Sequence, residues 1–194
     1  MGKVLWKPGT MLYPVPAVMV TCRWQGVDNI ITISWAGTVC TNPPMASISV
    51  RPERYSYQLI KNSGEFVINL PGKDLAFAAD FCGVNSGRNM DKFERLELEK
   101  EQAKVVDAPI IKSAPLSIEC RVSEIKELGS HHMFIADVVG VDVDEKYIDK
   151  KGKLHLDKAE LICYNHGSYC IADKPLGSFG YSVRKKEKSN KRKR

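Results

Sequence analysis

The chain has no apolar run long enough to cross a bilayer. Its longest, Val15-Pro-Ala-Val-Met-Val20, is strand length, against the ~20 residues a membrane helix needs. No continuous apolar core follows Lys3 and Lys7, so a signal peptide is not expected. The six cysteines (Cys22, Cys40, Cys82, Cys120, Cys163 and Cys170) are scattered and contain no C-x-x-C pair. That excludes a dense disulfide framework and, without an export signal, predicts reduced thiols in a cytoplasm. The glycine-rich signatures G-x-G-x-x-G and G-x-x-x-x-G-K-[ST] are both missing, which argues against Rossmann and P-loop nucleotide sites. There is no internal repeat.

What remains is ordinary for a globular domain. At 194 residues, with 43% hydrophobic and 27% charged side chains, the chain is long enough for one core and too apolar for global disorder. Its charge is unevenly placed. Residues 184–194 hold eight Lys/Arg and one Glu, a net of +7, which taken from the chain total of +6 leaves −1 for residues 1–183. The expected organisation is a domain over 1–183 followed by a disordered basic tail over 184–194. Such a tail either solubilises the chain or contacts nucleic acid through phosphates. It lacks the interleaved aromatics that a single-strand binder uses.

The patterning predicts strands over 14–24 and 30–35 joined by a turn at 25–29, and a strand over 45–51 whose Ile48 and Val50 face away from Ser47 and Ser49. A helix over 54–63 should close at Gly64, followed by a strand over 65–70 and a helix over 74–82 with Leu75, Ala78, Ala79 and Cys82 on one face. A helical turn is expected near Asp91, then long hairpin strands over 116–128 and 133–143, and a last short strand over 161–164. Hairpins outnumber helices and no βαβ alternation appears. This favours a β-rich α+β domain or barrel over a doubly wound sheet.

Residues 29–71 are the richest in chemistry. After Trp35 comes a small-residue loop (Ala36, Gly37, Thr38) that Pro43-Pro44 ends. Backbone amides can there approach a flat ligand, although a tight β connection would look the same. Arg51 ends a strand and Ser56 opens a helix, where free amides and the dipole favour an anion; a surface ion pair is the plain alternative. Ser86, Gly87, Arg88 and Lys92 form a polar turn with two cations, equally compatible with a solvated loop. His131 and His132 lie at a hairpin tip, where alternation lets only one face a given site. Cys163, His166 and Cys170 lack the second ligand pair of a structural zinc site, so no metal is expected.

Read in order, N-x-x-T-x-S-W at 29–35, P-P at 43–44, S-x-R-P-x-R-Y-S at 49–56, E-F-V-I-N-L-P at 65–71, S-G-R-x-x-D-K-F at 86–93, the histidine pair, and L-G-S-F-G-Y-S at 176–182 closely resemble the flavin reductase-like FMN-binding family, its flavoredoxin subgroup in particular. The resemblance runs over roughly 11–182, and the ordered series is more specific than any one motif. It implies an FMN-binding split β-barrel with short flanking helices and non-covalent FMN. It also implies a homodimer with sites close to the subunit interface. Carried over by position, Asn29, Trp35 and Cys40 flank the isoalloxazine with the backbone of Ser34 to Thr41. Arg51, Ser56 and Lys92 serve the ribityl phosphate region, and Ser86 is a further cofactor contact. His131, rather than His132, and Tyr164 lie near the ring. Where relatives carry threonine or phenylalanine, Ser56 and Tyr164 keep the hydroxyl or the ring, which bears on affinity or potential. The implied activity moves electrons from NAD(P)H or a protein donor to flavin, iron or a partner protein, as an enzyme or as a carrier. Such chemistry belongs to the cofactor, so no triad or carboxylate pair is required. The alternative is a binding module that uses its basic tail on nucleic acid.

Overall fold

Gln25 and Gly26 both adopt positive φ (51° and 78°) and form the two-residue turn between β2 (Val18–Trp24) and β3 (Val27–Ile33). The turn expected over 25–29 is therefore shorter, because two left-handed residues match the twist of the strands they join. Asn29 consequently becomes a strand residue opposite Cys22. The computed structural model describes residues 2–172 and 174–183. The basic segment 184–194, expected to be a disordered tail, lies outside the described residues.

From this hairpin a seven-stranded antiparallel sheet grows in the order β3-β2-β6-β9-β10-β5-β4, with β4 at Ala36–Cys40, β5 at Met45–Val50, β6 at Glu65–Leu70, β9 at Leu116–Glu127 and β10 at His132–Val143. The chain itself joins the two edges, running from β3 through Ser34 and Trp35 into β4, and Ser49 N donates to Trp35 O at 2.8 Å as a further rung of the β4–β5 ladder. The result is the expected β-rich split barrel. The small-residue segment after Trp35 is a strand rather than a loop: Ala36, Gly37 and Thr38 pair with Ile48, Ser47 and Ala46. Edge position explains why the pattern hid it, since β4 is largely exposed and carries no buried alternation.

Helix α1 (Tyr55–Ser63) plugs the barrel with Tyr57, Leu59 and Ile60, packed among Val20, Ile31, Ile48, Phe66 and Phe134. Gly64 ends it in the left-handed conformation (φ 70°), its N–H donating to Ile60 O. On the outer face of β2 and β3, α2 (Ala76–Val84) and α3 (Lys92–Arg95) build a second core in which Leu75, Ala78, Ala79 and Cys82 meet Met19 and Ile30. Two cores explain the unbroken apolar run Val18–Val20: β2 is covered on both faces.

Besides β4, three strands were not anticipated. β7 (Lys100–Gln102) and β8 (Pro109–Ile111) form a small ribbon that completes a third core with Val67, Ala103 and Val106. The strand expected at 161–164 is β11 (Ile162–Asn165), and it is not the last: β12 (Ser168–Ile171) returns against it, with β1 (Val15–Pro16) on its other side. These pieces are two to four residues long, too short for periodicity to register. Among the described residues no helix is long and apolar enough to cross a membrane.

Candidate functional site

Two neighbouring cavities open where β3 and the end of β5 meet the start of α1. The wider, about 420 Å³, is lined by Ser34, Trp35, Ser49, Arg51 and His131 among others. The narrower, about 250 Å³, is lined by Asn29, Ser56, Ser86, Arg88 and Lys92 among others. Ile31, Glu53 and Arg54 border both, so the two lie side by side. Their sizes fall within the range of ~300–1,000 Å³ typical of small-molecule sites when taken as one groove.

The wide cavity has an aromatic wall and a cationic rim. Trp35 is held by its backbone bond to Ser49 and packs against Tyr13, ring centroids 6.4 Å apart. Arg51 Nη1 lies 3.5 Å from Glu53 Oε1 at the mouth. Burial, and secondarily the Arg51 guanidinium, push the His131 pKa below the ordinary imidazole value, keeping it neutral further into the acid range. His132 turns away, its Nδ1 2.8 Å from Tyr57 Oη. Strand alternation thus assigns His131 to the cavity.

The narrow cavity gathers donors and positive charge. Helix α1 starts with no side-chain cap and no acidic residue in its first turn, so its amides and dipole are left for a ligand. Arg54 occupies the N-cap position, a charge the dipole disfavours unless an anion is shared. Its guanidinium donates to Gly83 O, while Arg88 stacks over Tyr55 at 5.8 Å. Asn29 Nδ2 donates to Ser56 Oγ at 2.7 Å, both residues being buried. Gly87 lies against the same amide: a Cβ there would sit 2.0 Å from Asn29 Oδ1.

Lys92 belongs to the lining of this cavity. It is 3% exposed, and its Nζ donates to Ile30 O at 2.8 Å and Cys82 O at 3.0 Å. Those bonds use two of the three ammonium donors; the third has no partner among the described residues. Burial pushes the Lys92 pKa down, as expected of a cation whose compensating charge is incomplete.

Of the residues singled out in the sequence, Asn29, Ser56, Ser86 and Lys92 share the narrow cavity, and Ser34, Trp35, Arg51 and His131 share the wide one. Arg51 thus stands with the aromatic wall rather than with Ser56 and Lys92. Cys40, Thr41 and Tyr164 line neither. Cys40 pairs with Met45 at the far end of the β4–β5 hairpin, with Thr41 exposed beyond it. Tyr164 sits on β11, 6.0 Å from Tyr13, and touches the wide cavity only through the Tyr13–Trp35 contact. Sequence reasoning missed Glu53 and Arg54, and did not carry Arg88 into the site. A cation at a helix N-cap was the available signal for Arg54. Among the described residues no group of three or more His, Cys, Asp or Glu is placed to hold a metal ion; His166 instead packs edge-on against Tyr13.

Comparison with known proteins agrees with this fold. Flavoredoxin of Desulfovibrio vulgaris (Miyazaki F) superposes with a TM-score of 0.87 at 29% identity, over 95% of this chain and 100% of that one. Flavoredoxin from Methanosarcina acetivorans gives a TM-score of 0.86 at 26% identity, with the same coverage of 95% and 100%. In sequence, the reductase component of a 4-nitrophenol 4-monooxygenase/4-nitrocatechol 2-monooxygenase from Rhodococcus opacus is 29% identical over 121 residues, 62% of each chain. Residues 10–172 match the flavin reductase like domain, and the chain belongs to that family.

Proposed function

We propose that the chain is an FMN-binding redox protein whose narrow cavity takes the phosphate and whose wide cavity takes the isoalloxazine. The carrying observation is the buried Lys92 ammonium, with one donor unused, in the lining of a cavity that also meets the uncapped start of α1, Arg54 and Arg88. A phosphate monoester dianion satisfies that donor set; a neutral ribityl chain does not. Asn29, Ser56 and Ser86 would hold the phosphate and ribityl oxygens. Trp35 would cover one face of the ring, and neutral His131 would offer a hydrogen bond at its edge.

FMN, when bound, supplies hydride and single-electron transfer. The chain's own contribution is to orient the ring against Trp35, to keep cations near it through Arg51 and Arg54, and to shield it with the Tyr13–Trp35 wall. A homodimer belongs to the same reading. Its support is the apolar surface of the N-terminal arm, where Leu5 is 98% and Trp6 72% exposed, more than a monomer normally leaves in water.

Two substitutions test the assignment of the two cavities. Arg88→Ala should weaken FMN roughly tenfold to a hundredfold, the worth of one charge-assisted hydrogen bond of ~1.5–3 kcal/mol. Riboflavin affinity, measured by the same fluorescence titration, should stay unchanged; equal losses for both ligands would remove Arg88 from the phosphate subsite. Trp35→Ala should shift the visible bands or the reduction potential of bound flavin, and identical spectra and potential would take Trp35 out of the ring subsite. The donor is tested by anaerobic NADH. Prompt bleaching of the flavin band supports a reductase, the reading that the Rhodococcus relative's name favours. Bleaching by dithionite alone supports a carrier fed by a protein.

A further inference from the structure

The β11–β12 hairpin turns through His166 and Gly167, both at positive φ (46° and 100°). A two-residue turn of this kind makes Asn165 and Ser168 a hydrogen-bonded pair, and alternation along the ladder returns the same geometry at Cys163 and Cys170. One step further, Ala172 N donates to Leu161 O at 2.8 Å, in the same phase. Directly opposed residues put their side chains on one face. Hydrogen-bonded pairs hold their Cα atoms about 5.5 Å apart, inside the ~4.4–6.8 Å that a disulfide spans. Both thiols are free; Cys163 is half-buried and Cys170 exposed.

The other four cysteines are unlike this pair. Burial pushes Cys22 and Cys120 up to about 12 and Cys82 up to about 11, which keeps them as inert thiols. Cys40 is half-buried and is paired across the ladder with Met45, not with another cysteine.

We propose that Cys163 and Cys170 form a peroxide-sensitive dithiol that closes reversibly to a cross-strand disulfide. The sulfur of the exposed Cys170 attacks one oxygen of hydrogen peroxide, the O–O bond breaks, and a sulfenic acid and water result. The Cys163 sulfur then attacks the sulfenic sulfur, forming the S–S bond and expelling the second water with the thiol proton. Two thiols are oxidised by two electrons and one peroxide is reduced to two waters. A thiol reductant reverses the step. The hairpin so modified is the one that supports the wide cavity, because Tyr164 and His166 hold Tyr13 at 6.0 and 5.6 Å. The inference does not depend on flavin binding.

The full-length protein, reduced and freed of reductant, is treated with equimolar hydrogen peroxide, denatured, alkylated and digested with trypsin. Cleavage after Lys158 and after Arg184, with Lys174 protected by Pro175, leaves both cysteines on one peptide. The expected result is loss of two alkylatable thiols, that peptide lighter by two hydrogens, and full recovery after dithiothreitol, with Cys40 alkylating as in the untreated sample. Cys163→Ser should leave Cys170 as a sulfenic acid captured by dimedone, with no internal link. Continued alkylation of both cysteines, independent sulfinic acids on each, or Cys170 joined to a second chain would each overturn the proposal.

Discussion

Gly87→Ala is expected to strip the chain of FMN while leaving the barrel folded. The added Cβ would meet Asn29 Oδ1 at 2.0 Å and Asn29 Cγ at 2.7 Å, distances at which something must move. Asn29 has little freedom to yield, since its backbone is paired in β3 opposite Cys22 and its side chain is 4% exposed and bonded to Ser56. The loop carrying Ser86 and Arg88 must therefore shift outward, or the Asn29–Ser56 bond must break. Either change pulls donors off the phosphate. Overpacking of this kind costs about 1–3 kcal/mol, so the melting midpoint should fall by roughly 2–12 °C, at ~2–4 °C per kcal/mol for a chain of this size. FMN affinity should fall by at least about tenfold, because one displaced donor is worth ~1.5–3 kcal/mol. A titration against calorimetry separates the two effects. Unchanged affinity in a folded variant would show that the 86–88 loop does not touch the ligand.

Glu119→Ala should produce the opposite pattern, a large loss of stability with FMN affinity per folded molecule preserved. Glu119 is 1% exposed, and its carboxylate accepts from Lys104 N at 3.0 Å, Val105 N at 2.7 Å and Val106 N at 2.8 Å. These bonds pin the turn between β7 and β8 onto the third core. Alanine leaves three amides without their acceptor, each worth about 1–3 kcal/mol when buried. Part of that is recovered as the turn opens to water, so about 3–5 kcal/mol is expected, near the upper end for one substitution. That corresponds to a fall of roughly 6–20 °C in midpoint. Glu119→Gln should land between wild type and alanine, since an amide keeps one acceptor oxygen and presents a donor where a second is needed. A midpoint within a degree of wild type for the alanine variant would show that the 103–106 turn is held by other contacts.

Much of this architecture was legible because its long elements carry strong, uniform signals. The helix closing at Gly64 was placed by the spacing of its apolar side and by its glycine cap, and the strand at 65–70 by the stop at Pro71-Gly72. β9 and β10 announce themselves over twelve residues each. The failures share a cause. β4, β7, β8 and β12 are short edge or ribbon strands whose pairing is decided by distant partners, which local pattern does not encode. The Gln25–Gly26 turn was blurred by the polar Asp28 and Asn29, which look like turn residues yet sit in a strand. Asp28 is there to accept Arg23 Nε at 2.6 Å and Lys100 Nζ at 2.9 Å.

The site divides in the same way. Asn29, Trp35, Ser56 and Lys92 all line one or other cavity, but Asn29, which the resemblance set beside Trp35, stands with Ser56 and Lys92 instead. The inverted electrostatics of α1 were overlooked because Arg54 was read as a helix residue and not as a cation at the positive end of a dipole. Lys92 was expected to reach a ligand from a loop. It is instead a buried residue holding the carbonyls of Ile30 and Cys82, and whatever it offers a phosphate comes through its remaining donor. Cys40 and Tyr164 were placed near the ring by resemblance alone, and in this chain they lie outside both cavities.

The most direct test is to mix the reduced, full-length protein with excess FMN, and separately with excess riboflavin, desalt both, and record the visible spectrum. Flavin should stay with the protein near one FMN per chain, while riboflavin, lacking the phosphate for Lys92, Arg54, Arg88 and the start of α1, should elute largely with the salt. FMN that leaves as completely as riboflavin would contradict a phosphate-anchored flavin site.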